Sequence, residues 1–191
     1  DTPTKLRGGV GAAVIMSNKA LFLDRDGVVN EDFGYVHKKE QLKYVEGIFN
    51  LCLKASKLDY KIIIVTNQAG IGRGYYSEDD FKKFMEIIKL QFMSKGITIN
   101  AVYFCPHHPK HGLNRYKKNC AFRKPNPGMI KKALTDFNLD TSKCILVGDS
   151  ITDMQAGQQS GINKLFMLTN SSNIINNINC EFITNLKMVK L

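Results

Sequence analysis

The 191-residue sequence lacks two features that would place it outside the cytoplasm. No apolar run approaches the ~18 residues that a membrane span needs, and no signal-like apolar segment precedes a cleavage site. The five cysteines are odd in number and form no regular framework of pairs. This pattern favours free thiols in a reducing compartment over disulfides. We therefore expect a cytoplasmic protein with no membrane partner.

Long basic runs are also missing, although the formal net charge is +10. The longest runs are pairs such as Lys38-Lys39 and Lys82-Lys83. Scattered lysines are typical of a solvated surface, and attraction of a polyanionic ligand is the alternative. Binding of single-stranded nucleic acid needs a basic track with stacking aromatics, which the sequence does not clearly supply. We predict no nucleic-acid partner.

Length and composition are those of one globular domain, with 43% hydrophobic and 23% charged residues. Residues 1–15 contain one proline and three glycines and show weak periodicity. We interpret them as a leader or expression-derived segment and exclude them from the fold. Residues 16–191 then form a single domain, which we expect to be monomeric.

Short apolar runs alternate with longer amphipathic patterns along the chain. Strands are predicted at residues 20–23, 62–65, 101–104, 144–147 and 164–168. Helices are predicted at 47–58, after Ser77, from Pro127 with Asn126 as its cap, and before Gly161. This order predicts an α/β fold with a doubly wound, mostly parallel sheet and helices on both faces. The stretches between these elements leave room for a minimal cap domain or none.

Polar side chains follow the first, second and fourth predicted strands. In parallel sheets the carboxyl ends of the strands meet at one edge, where ligands bind. The residues that this rule brings together are Asp24, Asp26, Thr66, Asn67 and Asp149. Carboxylates that lie close together repel one another unless a cation neutralises them. Oxygen ligands of this kind suit Mg²⁺, so the sequence predicts a magnesium site.

The same residues resemble the four motifs of the haloacid dehalogenase superfamily in its phosphatase form. Residues 24–30 resemble the first motif, Thr66 the second, Lys124 the third and residues 148–153 the fourth, in the family's order. The resemblance implies a Rossmann-like fold over residues 20–168. It also implies that catalysis passes through a phosphorylated aspartate.

Roles follow from the resemblance position by position. Asp24 would be the nucleophile, and Asp26 would protonate the leaving group and then activate water. Magnesium would be held by Asp24, the Asp26 backbone carbonyl and Asp149. Thr66 and Lys124 would bind the transferring phosphoryl group. Asp153 would support the site from behind or be a solvated helix carboxylate, and both readings stay open.

Three further segments, residues 66–74, 105–109 and 123–129, resemble the D-glycero-D-manno-heptose 1,7-bisphosphate 7-phosphatase family. This resemblance implies removal of the 7-phosphate of that sugar during ADP- or GDP-heptose biosynthesis, with Arg73, Arg123 and Asn67 as substrate contacts. Histidinol-phosphate phosphatase is the alternative within the superfamily. A polynucleotide 3′-phosphatase and a non-catalytic binding domain of the same fold are further alternatives.

The segment 105–123 is a Cys/His loop insertion. In the family that it resembles, this loop binds zinc through Cys-x-His and Cys-x-Cys. Cys105, His107 and Cys120 match three ligands, whereas Phe122 stands at the fourth position. Structural zinc takes four ligands. Either His108 or His111 replaces the missing one, or the loop holds no metal and is kept in place by packing.

Overall fold

A computed structural model describes residues 18–170 and 178–191, so the proposed leader at residues 1–15 lies outside the described part. The strands are β1 (Ala20–Leu23), β2 (Lys61–Asn67), β3 (Ile99–Cys105), β4 (Ile145–Gly148), β5 (Lys164–Leu168) and β6 (Glu181–Ile183). The α-helices are α1 (Ile48–Lys57), α2 (Ala69–Gly72), α3 (Glu78–Met93), α4 (Gly128–Asp136) and α5 (Ile151–Gln159).

The strands form one six-stranded sheet in the order β3-β2-β1-β4-β5-β6, and all adjacent strands are parallel. β2 is buried on both faces over residues 62–66, as its β-branched composition predicts. One core cluster contains α1 and α3 side chains, and the other contains α4 and α5 side chains. The predicted doubly wound fold is confirmed.

Two local predictions differ from the structure. α4 begins at Gly128, with Pro127 at its N-cap position, and the side chain of Asn126 instead donates to the Cys120 carbonyl at 2.9 Å. β6 was not predicted, because three residues following an Asn- and Ser-rich stretch carry too short a pattern to indicate a strand. It extends the sheet beside β5 without changing its order.

Two connections, residues 24–47 and 106–127, run over the carboxyl edge of the sheet. Each contains a single 3-10 turn, at Lys39–Gln41 and Asn114–Tyr116 respectively. Within the described ranges there is thus no separate cap domain. Among those residues, moreover, no helix combines the length and apolar character that a bilayer crossing requires.

The strand order places the functional edge at the centre of the sheet. The chain leaves β1 towards β2 on one side and later returns to β4 on the other, which creates a crevice above β1. The backbone N–H of Asp24 donates to the Val147 carbonyl at 3.0 Å. The first residue after β1 is therefore fixed to β4 before any side-chain contact is made.

Helix α3 begins with a reciprocal cap. The Ser77 hydroxyl accepts from the Asp80 N–H at 3.0 Å, and the Asp80 carboxylate accepts from the Ser77 N–H at 2.9 Å. We expect Ser77→Ala to lower the free energy of unfolding by about 1 kcal/mol, which corresponds to roughly 2–4 °C in Tm for a chain of this size. Thermal melting measures this loss.

Ser94→Ala is the matched control, because Ser94 follows the C-terminal end of the same helix and its hydroxyl donates to the Gln91 carbonyl. This control should shift Tm less than Ser77→Ala. Equal shifts for the two variants would show that the reciprocal cap contributes nothing particular to stability.

Candidate active site

A buried lysine joins the carboxyl ends of three strands. The Lys124 ammonium lies 2.8 Å from Asp24 Oδ1 and 2.6 Å from Asp153 Oδ1, and it donates to the Val65 carbonyl at 2.9 Å. Its side chain is 3% exposed, and that of Asp153 is 1% exposed. One hydrogen bond and two ion pairs therefore surround the ammonium group. Asp153 is a buried member of this site, which resolves the alternatives left open by the sequence.

The Asn67 side chain fixes the backbone of the same lysine. Its Oδ1 accepts from the Lys124 N–H at 3.0 Å, and its Nδ2 donates to the Lys124 carbonyl at 3.0 Å. A residue predicted as a substrate contact thus has a positioning role across 57 residues of sequence. Asn67 also lines the cavity above the site.

The carboxylates of this cluster outnumber its one ammonium group, so a further cation is needed to balance their charge. Burial and the neighbouring Asp153 raise the pKa of Asp24 well above its ordinary value, although Lys124 opposes the shift. Burial and Asp153 likewise raise the pKa of Asp149 to about 6. Burial alone would lower the pKa of Lys124, but Asp24 and Asp153 together raise it. Three carboxylates thus share one ammonium group.

The donor set fits magnesium. One oxygen from each of Asp24, Asp149 and Asp153 lies within 4.8 Å of the others, and hard carboxylate oxygens are the ligands that Mg²⁺ prefers. Gly27 has φ +88°, and a Cβ there would lie 2.0 Å from Asp149 Oδ2. Only glycine lets the backbone after Asp26 approach the Asp149 carboxylate this closely.

The Asp26 carboxylate faces a different set of partners. Arg25 Nη2 donates to its two oxygens at 2.6 and 2.8 Å, and Asn30 Nδ2 donates at 3.1 Å. Gln68 Nε2 donates to Oδ2 at 3.0 Å. Arg25 is fully buried, and its guanidinium lies over the rings of Phe81 and Phe84. The Asp26 carboxylate is therefore held beside the cluster of Asp24, Asp149 and Asp153 rather than inside it.

Sequence reasoning did not identify Arg25 or Gln68 as site residues. Both lie within motif segments, but an arginine between two aspartates gives no sign of whether it points into the core or into solvent. Thr66 is where the sequence placed it, at the end of β2, and is 1% exposed. Its hydroxyl oxygen accepts from Gln68 Nε2 at 2.8 Å.

A cavity of about 490 Å³ opens above these groups and is lined by Asp24, Asp26, Asp149, Asn67 and Tyr35 among others. Arg73 and Arg123 do not line it directly. The Arg73 guanidinium lies 5.9 Å from the ring centroid of Tyr35, at the rim. Burial and the nearby charge of Arg73 lower the pKa of Arg123. The Arg123 guanidinium itself donates to the His107 carbonyl at 3.2 Å, within the Cys/His loop.

The Cys/His loop also assembles a ligand set. Ligand atoms of Cys105, His107 and Cys120 lie within 4.8 Å of one another, and Cys105 Sγ is 3.8 Å from His107 Nδ1. Sulfur and nitrogen ligands of one tetrahedral zinc stand about 3.6 Å apart. His108 Nδ1 instead accepts backbone N–H groups of residues 110 and 111. Neither His108 nor His111 belongs to the ligand group.

Asp149→Asn tests the charge imbalance at the cluster. Because the pKa of Asp149 is raised to about 6, its charge destabilises the folded, metal-free protein at pH 7. This penalty disappears as the pH falls below both pKa values. We expect Asp149→Asn to raise Tm at pH 7 without magnesium, with a smaller gain at lower pH. Magnesium should stabilise the unsubstituted protein more than the variant.

Asp136→Asn provides the control for that experiment. Hydrogen bonds from Tyr103 and Lys132 lower the pKa of the exposed Asp136, so the same substitution should give no gain in Tm. A loss of stability in metal-free Asp149→Asn at pH 7 would contradict the proposed repulsion.

Comparisons with known proteins all point to one family of phosphatases. A model described as HAD-hydrolase-like matches residues 121–174. D-glycero-alpha-D-manno-heptose-1,7-bisphosphate 7-phosphatase of Burkholderia mallei is 53% identical over 153 residues, which cover 80% of this chain and 81% of the relative. The D-glycero-beta-D-manno-heptose-1,7-bisphosphate 7-phosphatase of Vibrio cholerae is 40% identical and covers 77% of this chain and 79% of the relative.

Solved structures agree with this result. D,D-heptose 1,7-bisphosphate phosphatase from B. bronchiseptica, crystallised with magnesium and phosphate, superposes with a TM-score of 0.75 at 26% identity. The match covers 87% of this chain and 93% of that one. The relationship therefore extends over nearly the whole sheet and its helices.

Proposed function

Because the chain belongs to the D-glycero-D-manno-heptose-1,7-bisphosphate 7-phosphatase family, we propose that it removes the 7-phosphate of D-glycero-α-D-manno-heptose 1,7-bisphosphate. The observation that carries this proposal is the Asp24 carboxylate, 2.8 Å from the Lys124 ammonium at the base of an open cavity. Relatives 53% and 42% identical bear names specifying the α-anomer, which supports α over β. Supply of ADP- or GDP-heptose and a cytoplasmic location remain predictions from sequence.

Asp24 is the proposed nucleophile. Its Oδ1 accepts from Lys124 Nζ at 2.8 Å and from the Arg25 N–H at 2.8 Å. Its other oxygen, Oδ2, would attack phosphorus, forming an O–P bond as the bond to the sugar oxygen breaks. Lys124 and Thr66 would bind the phosphoryl oxygens during transfer. Held by Asp24, the Asp26 backbone carbonyl and Asp149, magnesium would supply positive charge against the phosphoryl oxygens.

Asp26 is the proposed acid and base. It lines the same cavity as Asp24, and its carboxylate is held by Arg25, Asn30 and Gln68. In the first step it would give a proton to the departing sugar oxygen. In the second step it would take a proton from the water that attacks the aspartyl phosphate, which regenerates Asp24 and releases phosphate.

Arg73 and Arg123 are proposed to recognise the phosphate that is not cleaved. The Arg73 guanidinium lies 5.9 Å from the ring centroid of Tyr35, which lines the cavity, and the positive charge of Arg73 contributes to lowering the pKa of Arg123; a bound anion would offset this repulsion. Arginine forms paired hydrogen bonds to phosphate. A substrate with two phosphates would use this side of the cavity, whereas histidinol phosphate has no second anion to place there.

Steady-state phosphate release with magnesium tests the proposed substrate. We expect kcat/KM to be highest for the α-anomer of heptose 1,7-bisphosphate, lower for the β-anomer and lowest for histidinol phosphate. A preference for histidinol phosphate would move the chain to that activity. Activity on neither sugar bisphosphate anomer would contradict the proposal.

Asp24→Asn tests the proposed nucleophile. Loss of the attacking carboxylate should lower kcat by at least about 10³-fold, while the melting profile shows that the variant is folded. Asp79→Asn is the control, because Asp79 is exposed in the first turn of α3 and should retain activity. Unchanged turnover in Asp24→Asn would rule out the covalent mechanism.

We also propose that Cys105, His107 and Cys120 hold a structural zinc ion with a fourth ligand from outside the matched set. Burial, together with the neighbouring Cys120, raises the pKa of the Cys105 thiol to about 12; a bound cation would stabilise the thiolate instead. Phe122, at the position of the missing cysteine, is partly buried and packs against the core. The ion would order the loop that carries Arg123.

Elemental analysis of the purified protein tests the zinc proposal. Cys120→Ser should lower the zinc content, and Phe122→Cys should make zinc harder to remove with a chelator because it completes a four-ligand set. Cys180→Ser is the control, since this thiol lies outside the ligand group. Absence of zinc from the original protein and from Phe122→Cys would contradict the proposal.

A further inference from the structure

Gln68 connects two groups of the proposed reaction that otherwise do not touch. It follows β2 directly and is 2% exposed. Its Nε2 donates to Asp26 Oδ2 at 3.0 Å and to Thr66 Oγ1 at 2.8 Å. The two hydrogens of one amide nitrogen thus bond to Asp26, the proposed acid and base, and to Thr66, a proposed phosphoryl ligand.

Tyr76 fixes the orientation of that amide. Its hydroxyl donates to Gln68 Oε1 at 2.6 Å, and the residue is 7% exposed. The His37 ring stacks on the Tyr76 ring, with centroids 4.4 Å apart and planes 10° from parallel. If the amide turned over, Oε1 would face the Asp26 carboxylate and Nε2 would face the tyrosine hydroxyl. The Asp26 carboxylate disfavours that turned arrangement, and the hydrogen bond from the tyrosine hydroxyl to Oε1 supports the observed orientation, in which Nε2 points at Asp26.

The hydrogen bond from Gln68 to Thr66 also limits where the Thr66 hydroxyl proton can point. Because Thr66 Oγ1 accepts from Gln68, its own hydroxyl proton must point elsewhere. Within the described residues the acceptor recorded for that proton is the Asn67 carbonyl at 3.5 Å, the limit of a hydrogen bond. A phosphoryl oxygen in the cavity would be the better acceptor. By occupying Thr66 Oγ1 as an acceptor, Gln68 thereby directs the Thr66 hydroxyl to donate to such an oxygen.

We propose that Gln68 and Tyr76 are positioning residues, with Tyr76 acting through Gln68 to aim the Asp26 carboxyl group at the leaving oxygen. This inference rests on the proposed phosphatase function. It predicts that loss of the tyrosine hydroxyl impairs proton donation more than binding. The defect should therefore depend on how strongly the leaving group needs a proton.

Tyr76→Phe, assayed on two substrates, tests this role. Cleavage of heptose 1,7-bisphosphate releases a basic alkoxide that needs a proton, whereas 4-nitrophenyl phosphate releases a weakly basic phenolate that does not. Proton donation contributes about 10²–10⁴-fold where it operates. We expect kcat/KM of the variant to fall about tenfold or more on the sugar substrate and less than about threefold on the aryl substrate.

Two further variants separate positioning from general damage. Tyr44→Phe removes another tyrosine hydroxyl bonded to a glutamine, Gln91 Oε1 at 2.5 Å, away from the cavity, and should leave both substrates unaffected. Gln68→Met removes the amide while keeping its length. If Tyr76 acts through Gln68, adding Tyr76→Phe to Gln68→Met should cause no further loss on the sugar substrate.

The outcomes are distinguishable. Equal losses on both substrates, or additive losses in the double variant, would overturn the positioning role and indicate a structural one. Sugar activity in Tyr76→Phe equal to that of the original protein would also overturn it. An original protein that releases phosphate from neither substrate with magnesium would contradict the proposed function itself. Melting of every variant shows that the compared proteins are folded.

Discussion

The buried ammonium group of Lys124 is the interaction on which the geometry of the site depends. It contacts Asp24 after β1, the Val65 carbonyl on β2 and Asp153 on α5, so one side chain joins three elements that are distant in sequence. Asn67 holds its backbone from the end of β2. Removing the single ammonium group would leave its buried carboxylate partners uncompensated, at a cost of about 3–5 kcal/mol. The Asp24 carboxylate is therefore positioned by contacts that also link the end of β1 to β2 and α5.

The two carboxylates proposed to act in catalysis differ because their surroundings differ. Burial, together with the nearby Asp153 and Asp149 carboxylates, raises the pKa of Asp24, and the excess of negative charge favours a bound cation. Asp26, two residues later, faces a buried arginine and two side-chain amides. Gly27, directly after Asp26, brings the backbone against Asp149. A short segment thus gives the proposed nucleophile and the proposed proton donor separate partners.

The sequence predicted the sheet and the edge at which its polar residues meet, because both follow from buried apolar runs and from the rule that parallel strands end together. Of the residues that it predicted at this edge, Asp24, Lys124 and Asp149 lie together in the structure, and Thr66 lies near the end of β2. It did not predict the burial of Arg25, the bonds of Gln68 or the direction of Tyr76. These depend on side-chain contacts between β1, the segment after β2 and α3, which no local pattern encodes. β6 was missed because three residues carry too little periodicity.

A direct test of the account is to trap the covalent intermediate. Protein mixed with heptose 1,7-bisphosphate and magnesium would be denatured in acid during turnover and then reduced with borohydride, which converts an aspartyl phosphate to homoserine. Mass spectrometry of the peptide containing residues 20–30 should locate homoserine at residue 24 and leave Asp26 unchanged. Turnover without modification, or modification at another carboxylate, would contradict the proposed role of Asp24 and the mechanism built on it.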